Sequence, residues 1–173
     1  LDARTFVAFM VNALGKVRGK KAYQKYVYLA KAYGIPLNYA YTMHYYGPYS
    51  EKFATELENA YRDDVVDLVE GSTFIYRTGS KTQVVLDRER DEIKKHQKEL
   101  TTLIETFGNM TPLELEIYAT AHFVWRIQTI FGEPTDRETV IEEIKKAKHP
   151  KFDMEQIIKS YDDLVSWGLI KVS

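Results

Sequence analysis

No cysteine occurs anywhere in the chain of 173 residues, which removes disulfides, thiolate metal sites and cysteine nucleophiles from consideration. Prolines number five and glycines nine, and they are scattered, so no Gly-, Ser- or Pro-rich linker divides the sequence. No apolar run approaches the ~20 residues of a membrane span, and no basic-apolar-small leader opens the sequence as given. Histidine is scarce, and His44, His96, His122 and His149 lack metal-ligand spacing with one another or with nearby carboxylates. Net charge is close to zero, at −1. These absences lead to the expectation of a soluble, cytoplasmic protein that does not enter a membrane and needs no cofactor or metal.

What is present is an ordinary hydrophobic fraction, 45%, which argues against wholesale disorder. A chain of this length suits one compact domain over 1–173, with halves at 1–87 and 88–173 that must pack together. Charge is unevenly placed. Residues 1–50 hold Arg4, Lys16, Arg18, Lys20, Lys21, Lys25 and Lys31 against the single acid Asp2. Residues 51–70 hold Lys52 and Arg62 against Glu51, Glu56, Glu58, Asp63, Asp64, Asp67 and Glu70. Such blocks either neutralise each other in the fold or present two faces to two partners.

Hydrophobic spacing predicts a helix over "ARTFVAFMVNALG", with Phe6, Val7, Met10, Val11 and Leu14 on one side and Gly15 as its stop. A second helix, "KKAYQKYVYLAKAYG", carries a wide stripe of Tyr23, Tyr26, Val27, Ala30 and Tyr33. "NYAYTMHYY" reads as a short strand, Gly47-Pro48 as a turn, and Ser50 as the cap of a helix to about Tyr61. "VVDLV" reads as another strand, and "STFIYRT-GS-KTQVVL" as a β-hairpin around Gly79-Ser80. That order has winged-helix-like character.

A long charged helix is expected from about Arg88 to Phe107. Thr111, Pro112 and Glu114 announce the start of "LELEIYATAHFVWRIQTIF", apolar nearly all round and therefore a central buried helix. Thr135 with Glu138, and Asp153 with Gln156, look like further capping boxes, and "LIKV" like a closing strand. The C-terminal order of helix, proline turn, helix and strand again suggests a helix-turn-helix core. The predicted class is mainly α (α+β), with a small β-hairpin element.

Chemistry is thin. "TGSKT" lacks the upstream glycine and the strand-to-helix context of a phosphate loop. Arg90 and His96 match the spacing of a HEPN ribonuclease signature, but six helical positions at ~100° place them on different sides. His122, on the most apolar helix, reads as a hydrogen-bonded core histidine. Acid pairs such as Asp63-Asp64 and Glu142-Glu143 fall at helix ends or on polar faces. None of this implies an enzyme. "GKVRGKKAYQKY" mixes cations with tyrosines as a nucleic-acid surface does, yet the tyrosines recur at core spacing.

Two segments together are more specific. "KAYQKYVYLAKAYG" resembles the "LQKLLYL" helix, and "YAYTMHYYGPYSEKFATEL" the "F-x-x-Y-x-YGPYS" segment, of the SocA-like, YwgA-related Panacea domain antitoxin family. Tyr23, Gln24, Lys25, Tyr28 and Leu29 match, then Tyr45, Gly47, Pro48, Tyr49 and Ser50. Tyr23 and Tyr26 stand where leucines are usual. The resemblance implies a small helical, non-enzymatic module that binds a protein partner, as an antitoxin or as an adaptor to proteolytic machinery. A DNA-binding regulator using the basic N-terminal half is the alternative, with nucleic acid as partner. Candidate partner-contacting residues are Tyr45, Tyr46, Tyr49, Lys20, Lys21 and Lys25. Gln24, Gly47, Pro48 and Ser50 form the structural motif. The aromatic corner is either a packed scaffold or an exposed grip, and the second alternative expects Tyr46 or Tyr49 at the surface.

Overall fold

Asp2 begins the first helix, α1 (Ala3–Leu14), by accepting the Thr5 N–H at 2.8 Å, and Gly15 ends it at φ +80°. The computed structural model describes residues 1–172. A short strand, β1 (Lys16–Arg18), follows, and then α2 (Gly19–Ala32). Tyr23, Tyr26, Val27 and Ala30 are buried as the periodicity predicts, while Tyr33 lies just past the helix and is half-buried. Gln24, Lys25 and Tyr28 are buried as well, so α2 is enclosed on nearly every side. A strand pair, β2 (Thr42–His44) and β3 (Gly47–Tyr49), precedes α3 (Glu51–Arg62), whose N-terminus Ser50 caps by accepting the Phe53 N–H.

The larger sheet joins β1 with β4 (Val66–Leu68) and β5 (Ile75–Thr78) in the order β1-β5-β4, all antiparallel. Val17 faces Tyr76 on one side and Leu68 faces Tyr76 on the other. Apart from the β2–β3 pair inserted between α2 and α3, the order helix, strand, helix, helix, strand, strand, with the first strand beside the last, gives the N-terminal part its winged-helix-like order. The wing is not the hairpin expected around Gly79-Ser80. Residues 82–88 form a helix, α4 (Thr82–Arg88), and the hairpin is β4–β5. Thr82, Val85 and Leu86 recur at helical spacing, and that pattern prevailed over the apparent alternation of "KTQVVL". Thr82 secures the turn, its hydroxyl accepting the Gly79 N–H at 2.8 Å and donating to the Val65 carbonyl at 2.6 Å.

The helix expected from Arg88 to Phe107 is broken into α5 (Arg90–Lys95) and α6 (Gln97–Phe107), with Glu89 and His96 leaving helical geometry between segments. No side chain of α5 is fully buried, Ile93 alone packing partly against the core, whereas Leu100, Leu103 and Phe107 of α6 enter it. Next comes α7 (Pro112–Ile130), opened by the Thr111–Glu114 capping box and buried from Leu115 to His122. The following helix, α8 (Arg137–Lys148), is capped by Asp136 rather than by Thr135, because the Asp136 carboxylate accepts the Thr139 N–H. The last helix, α9 (Met154–Ser166), has the expected Asp153–Gln156 box. "LIKV" is not a strand. The Leu169 and Ile170 N–H groups close the end of α9 by donating to the Leu164 carbonyl. Mainly α with a small antiparallel β component is the resulting class, and one buried hydrophobic cluster runs from Ala3 to Ile170.

The tyrosines of α2 extend it outward. Tyr23 donates to the Val7 carbonyl of α1 at 2.8 Å, Tyr26 to the Phe107 carbonyl of α6 at 3.4 Å, and Tyr28 bonds His122 Nδ1 of α7 at 2.8 Å. His122 Nε2 lies 3.2 Å from the Leu169 carbonyl and therefore carries the proton, so Nδ1 accepts from Tyr28. This is the hydrogen-bonded core histidine read from the sequence. Burial pushes its pKa down to about 4, the Leu169 contact opposing and Arg126 assisting. Below pH 6.5 the unfolded chain takes up the proton that the folded chain refuses. Stability is therefore expected to fall as pH drops from 6.5 towards 4, by about 3 kcal/mol over the full interval. Urea midpoints measured across that range should show the loss, and His122→Gln should flatten it.

Candidate protein-interaction corner

Two residues, Tyr45 and Tyr46, form the turn at the tip between β2 and β3; Gly47 and Pro48, expected as the turn, instead begin β3, because Gly47 pairs with His44. Gly47 has φ +103°, and a Cβ there would stand 3.0 Å from Lys25 Cε and 3.1 Å from Thr120 Oγ1. Conformation and crowding both require glycine. Pro48 is buried behind it. Gln24 locks the exit of the hairpin: its Nε2 donates to the Ser50 carbonyl at 2.8 Å and its Oε1 accepts the Ser50 N–H at 2.9 Å. The amide thus serves a buried backbone in the way a neighbouring strand would, about 1 kcal/mol net per bond and more if either partner is stranded.

Lys25 reaches the Pro48 carbonyl at 3.2 Å. From the far end of the chain, Lys148 donates to the Tyr45 carbonyl at 2.6 Å and to Glu116 Oε2 at 2.9 Å. Lys151 takes the other oxygen, Oε1, also at 2.9 Å. Glu116 and Lys148 are each only 4% exposed in their side chains, so this ion pair is interior. The hairpin is consequently fixed by α2 on one side and by the end of α8 on the other.

Held this way, the tyrosine tip faces outward. Tyr45 is 70% exposed and Tyr46 42%. Their rings meet edge to face, centroids 5.0 Å apart. Lys21 Nζ sits 3.1 Å over the Tyr46 ring, and Lys151 Nζ lies 4.2 Å and 4.6 Å from the Tyr45 and Tyr46 centroids. A cavity of about 390 Å³ opens beside them, lined by Lys21, Lys25, Tyr45, Tyr46, Glu116 and Lys151, with Pro112 and Leu113 completing the wall.

Of the sequence candidates, the fold brings Tyr45, Tyr46, Lys21 and Lys25 together. Tyr49 is half-buried and stacks on His44 at 4.4 Å, so Tyr45 replaces it as the more exposed ring. Lys25 is 2% exposed and meets only what enters the cavity, because its stem packs under Gly47. Lys20 turns away to Glu58 at 3.7 Å, and Arg4 pairs with Asp63, so part of the basic block is neutralised by the acidic one. Glu116, Lys148 and Lys151 were missed. A carboxylate among Leu115, Ile117 and Ala119 was the one available signal, since only a buried partner justifies it there. Arg90 pairs with Asp87, and His96 lies at the break between α5 and α6. No helix is long and apolar enough to cross a membrane, and no cluster of three His, Asp or Glu side chains suits a metal, both among the described residues.

No family model matches the chain. Over 44 residues it is 41% identical to the uncharacterized protein YwgA of Bacillus subtilis strain 168, a stretch covering 25% of this chain and 26% of that protein. The chain therefore spans about a quarter of the length of this relative, and the likeness is consistent with a YwgA-related family.

Two outcomes follow from the buried charges. Burial lowers the Lys25 pKa to about 8; Glu116 pulls it up, while Lys148, Lys21 and Lys151 push it further down. The unfolded lysine binds its proton more tightly, so stability should rise as pH climbs from 8 towards 10.5, where the charge is no longer buried. Lys25→Met should raise the Tm at pH 7 and remove that rise in calorimetry. Glu116→Leu should do the opposite, costing about 3–5 kcal/mol in denaturant titrations because it leaves Lys148 buried without a counter-charge.

Proposed function

We propose that this chain is a non-enzymatic protein-binding module, antitoxin-like or adaptor-like, whose grip on its partner is the Tyr45–Tyr46 tip. The observation that carries the reading is an outward-facing aromatic pair whose backbone is held by buried contacts from two distant helices. Large apolar rings left at the surface are usual anchors in interfaces, and rings whose conformation is already set lose little entropy on binding. Flanking Lys21 and Lys151 supply charge that orients an acidic partner and speeds encounter. The resemblance of the α2 and "YYGPYS" segments to SocA-like Panacea antitoxins, and the partial likeness to YwgA, support the same class.

DNA binding through the basic N-terminal half is the second reading, favoured by the winged-helix-like order and by Lys16, Arg18 and Lys21 on adjacent elements. Against it, α3 exposes Glu51, and Glu58 of the same helix engages both Lys20 and Arg62.

Replacing Tyr45 and Tyr46 together by alanine should abolish recovery of a stoichiometric partner in affinity purification from the source cell, with the Tm of the isolated chain nearly unchanged. A large fall in Tm, or undiminished capture, would reduce the corner to scaffold. Gel-shift affinity for duplex DNA that falls by tenfold or more over a few-fold rise in salt would instead favour the second reading.

A further inference from the structure

The cavity beside the tyrosine tip contains more positive charge than the fold neutralises. Lys21, Lys25, Lys148 and Lys151 surround one carboxylate, Glu116, and both Glu116 oxygens are already taken by Lys148 and Lys151. An ammonium has three N–H donors and no acceptor. Lys25, nearly fully buried, uses one of them, on the Pro48 carbonyl at 3.2 Å. Lys21, at the exposed rim, lies over the face of the Tyr46 ring. Donors on Lys21, Lys25 and Lys151 thus border a single cavity of about 390 Å³ without acceptors to match. A second orphan lies close by: Thr120 Oγ1 is fully buried without a hydrogen-bond partner and, like Lys25, abuts Gly47.

We propose that this cavity is an oxyanion-binding site in which Lys21, Lys25 and Lys151 together receive a carboxylate or phosphate group. A buried cation lacking its counter-charge is costly, and an oxyanion offers several acceptors, matching the kind of group that is in deficit. The anion arrives either free or carried on an acidic segment. Exposed Leu113 and half-buried Pro112 form an apolar wall beside the lysines, suited to a residue flanking the acid. Burial, opposed by Glu116 and assisted by Lys148, Lys21 and Lys151, depresses the Lys25 pKa, and a bound anion would raise it. The inference rests on the cavity alone and holds whether or not the tyrosine tip captures a protein.

The purified chain would be titrated, at ionic strength held constant with sodium chloride, with inorganic phosphate and separately with a short peptide alternating leucine and glutamate. Backbone resonances of Gly47 and side-chain resonances of Lys25 and Lys151 report occupancy. Saturable shifts at those positions are expected with at least one probe, together with a rise in the Lys25 pKa. Lys25→Met and Lys151→Ala should each weaken binding about tenfold or more, whereas Lys98→Ala, on an exposed face of α6, should leave it unchanged. Saturation by phosphate identifies a free ion, and much tighter binding of the peptide identifies a carboxylate carried on a chain. Shifts that never saturate, or binding that ignores both lysine variants, would overturn the proposal. Because no partner protein is present in these titrations, failure of capture at the tyrosine tip leaves their outcome untouched.

Discussion

A helix enclosed on nearly every side must find an interior partner for each polar atom it carries, and in this protein that helix is α2. Its buried face includes Tyr23, Gln24, Lys25, Tyr26 and Tyr28, where an ordinary core helix would carry leucine. Each hydroxyl, amide or ammonium that leaves water costs a few kcal/mol unless another group replaces the lost bond, so each determines where something else must sit. Tyr23 places α1, Tyr26 the end of α6, Tyr28 the His122 segment of α7, and Gln24 the start of α3. The apolar contacts around them supply the driving force for burial. The polar contacts specify one arrangement.

Lys25 is the member of that set whose requirement the fold meets least. Its neighbours are other lysines, and the one carboxylate at hand is divided between Lys148 and Lys151. Removing charges from water and leaving them repelling one another is destabilising, so the arrangement is not explained by stability. It is explained if the corner meets something negative. The same geometry holds the tyrosine tip from behind, through Lys148 on the Tyr45 carbonyl, and the lysine-lined cavity and aromatic edge form one continuous surface. An apolar anchor beside a cationic recess is a natural combination for recognising an acidic segment of another protein.

Much of the architecture could be read from local pattern. The first two helices, Ser50 and α3, the Thr111–Glu114 start and the Asp153–Gln156 start follow from spacing and capping chemistry that act within a few residues. Where two local patterns competed, the reading failed. "KTQVVL" fits a strand by alternation and a helix by Thr82, Val85 and Leu86; packing of Val85 into the core decided it. Thr135 and Asp136 are both good caps, and the choice depended on which carboxylate or hydroxyl met the Thr139 N–H. Trp167 and Gly168 end α9 so that the following residues fold back rather than extend.

The sequence by itself determined that this is a mainly helical chain without thiol chemistry, with a tyrosine-rich segment around Gly47 and Pro48 following a lysine-rich helix; which two of those residues make the turn it did not determine. These are properties of composition and of neighbours along the chain. Only the tertiary structure decided which ring faces outward, that Lys20 pairs with Glu58 while Lys21 covers Tyr46, and that Glu116, Lys148 and Lys151 complete the corner. Residues about seventy and a hundred positions further along the chain meet the turn because α7 packs against α2 and β3, and α8 packs against α7. No local periodicity encodes such a meeting, since a lysine at a helix end looks the same whether it faces water or a buried carboxylate.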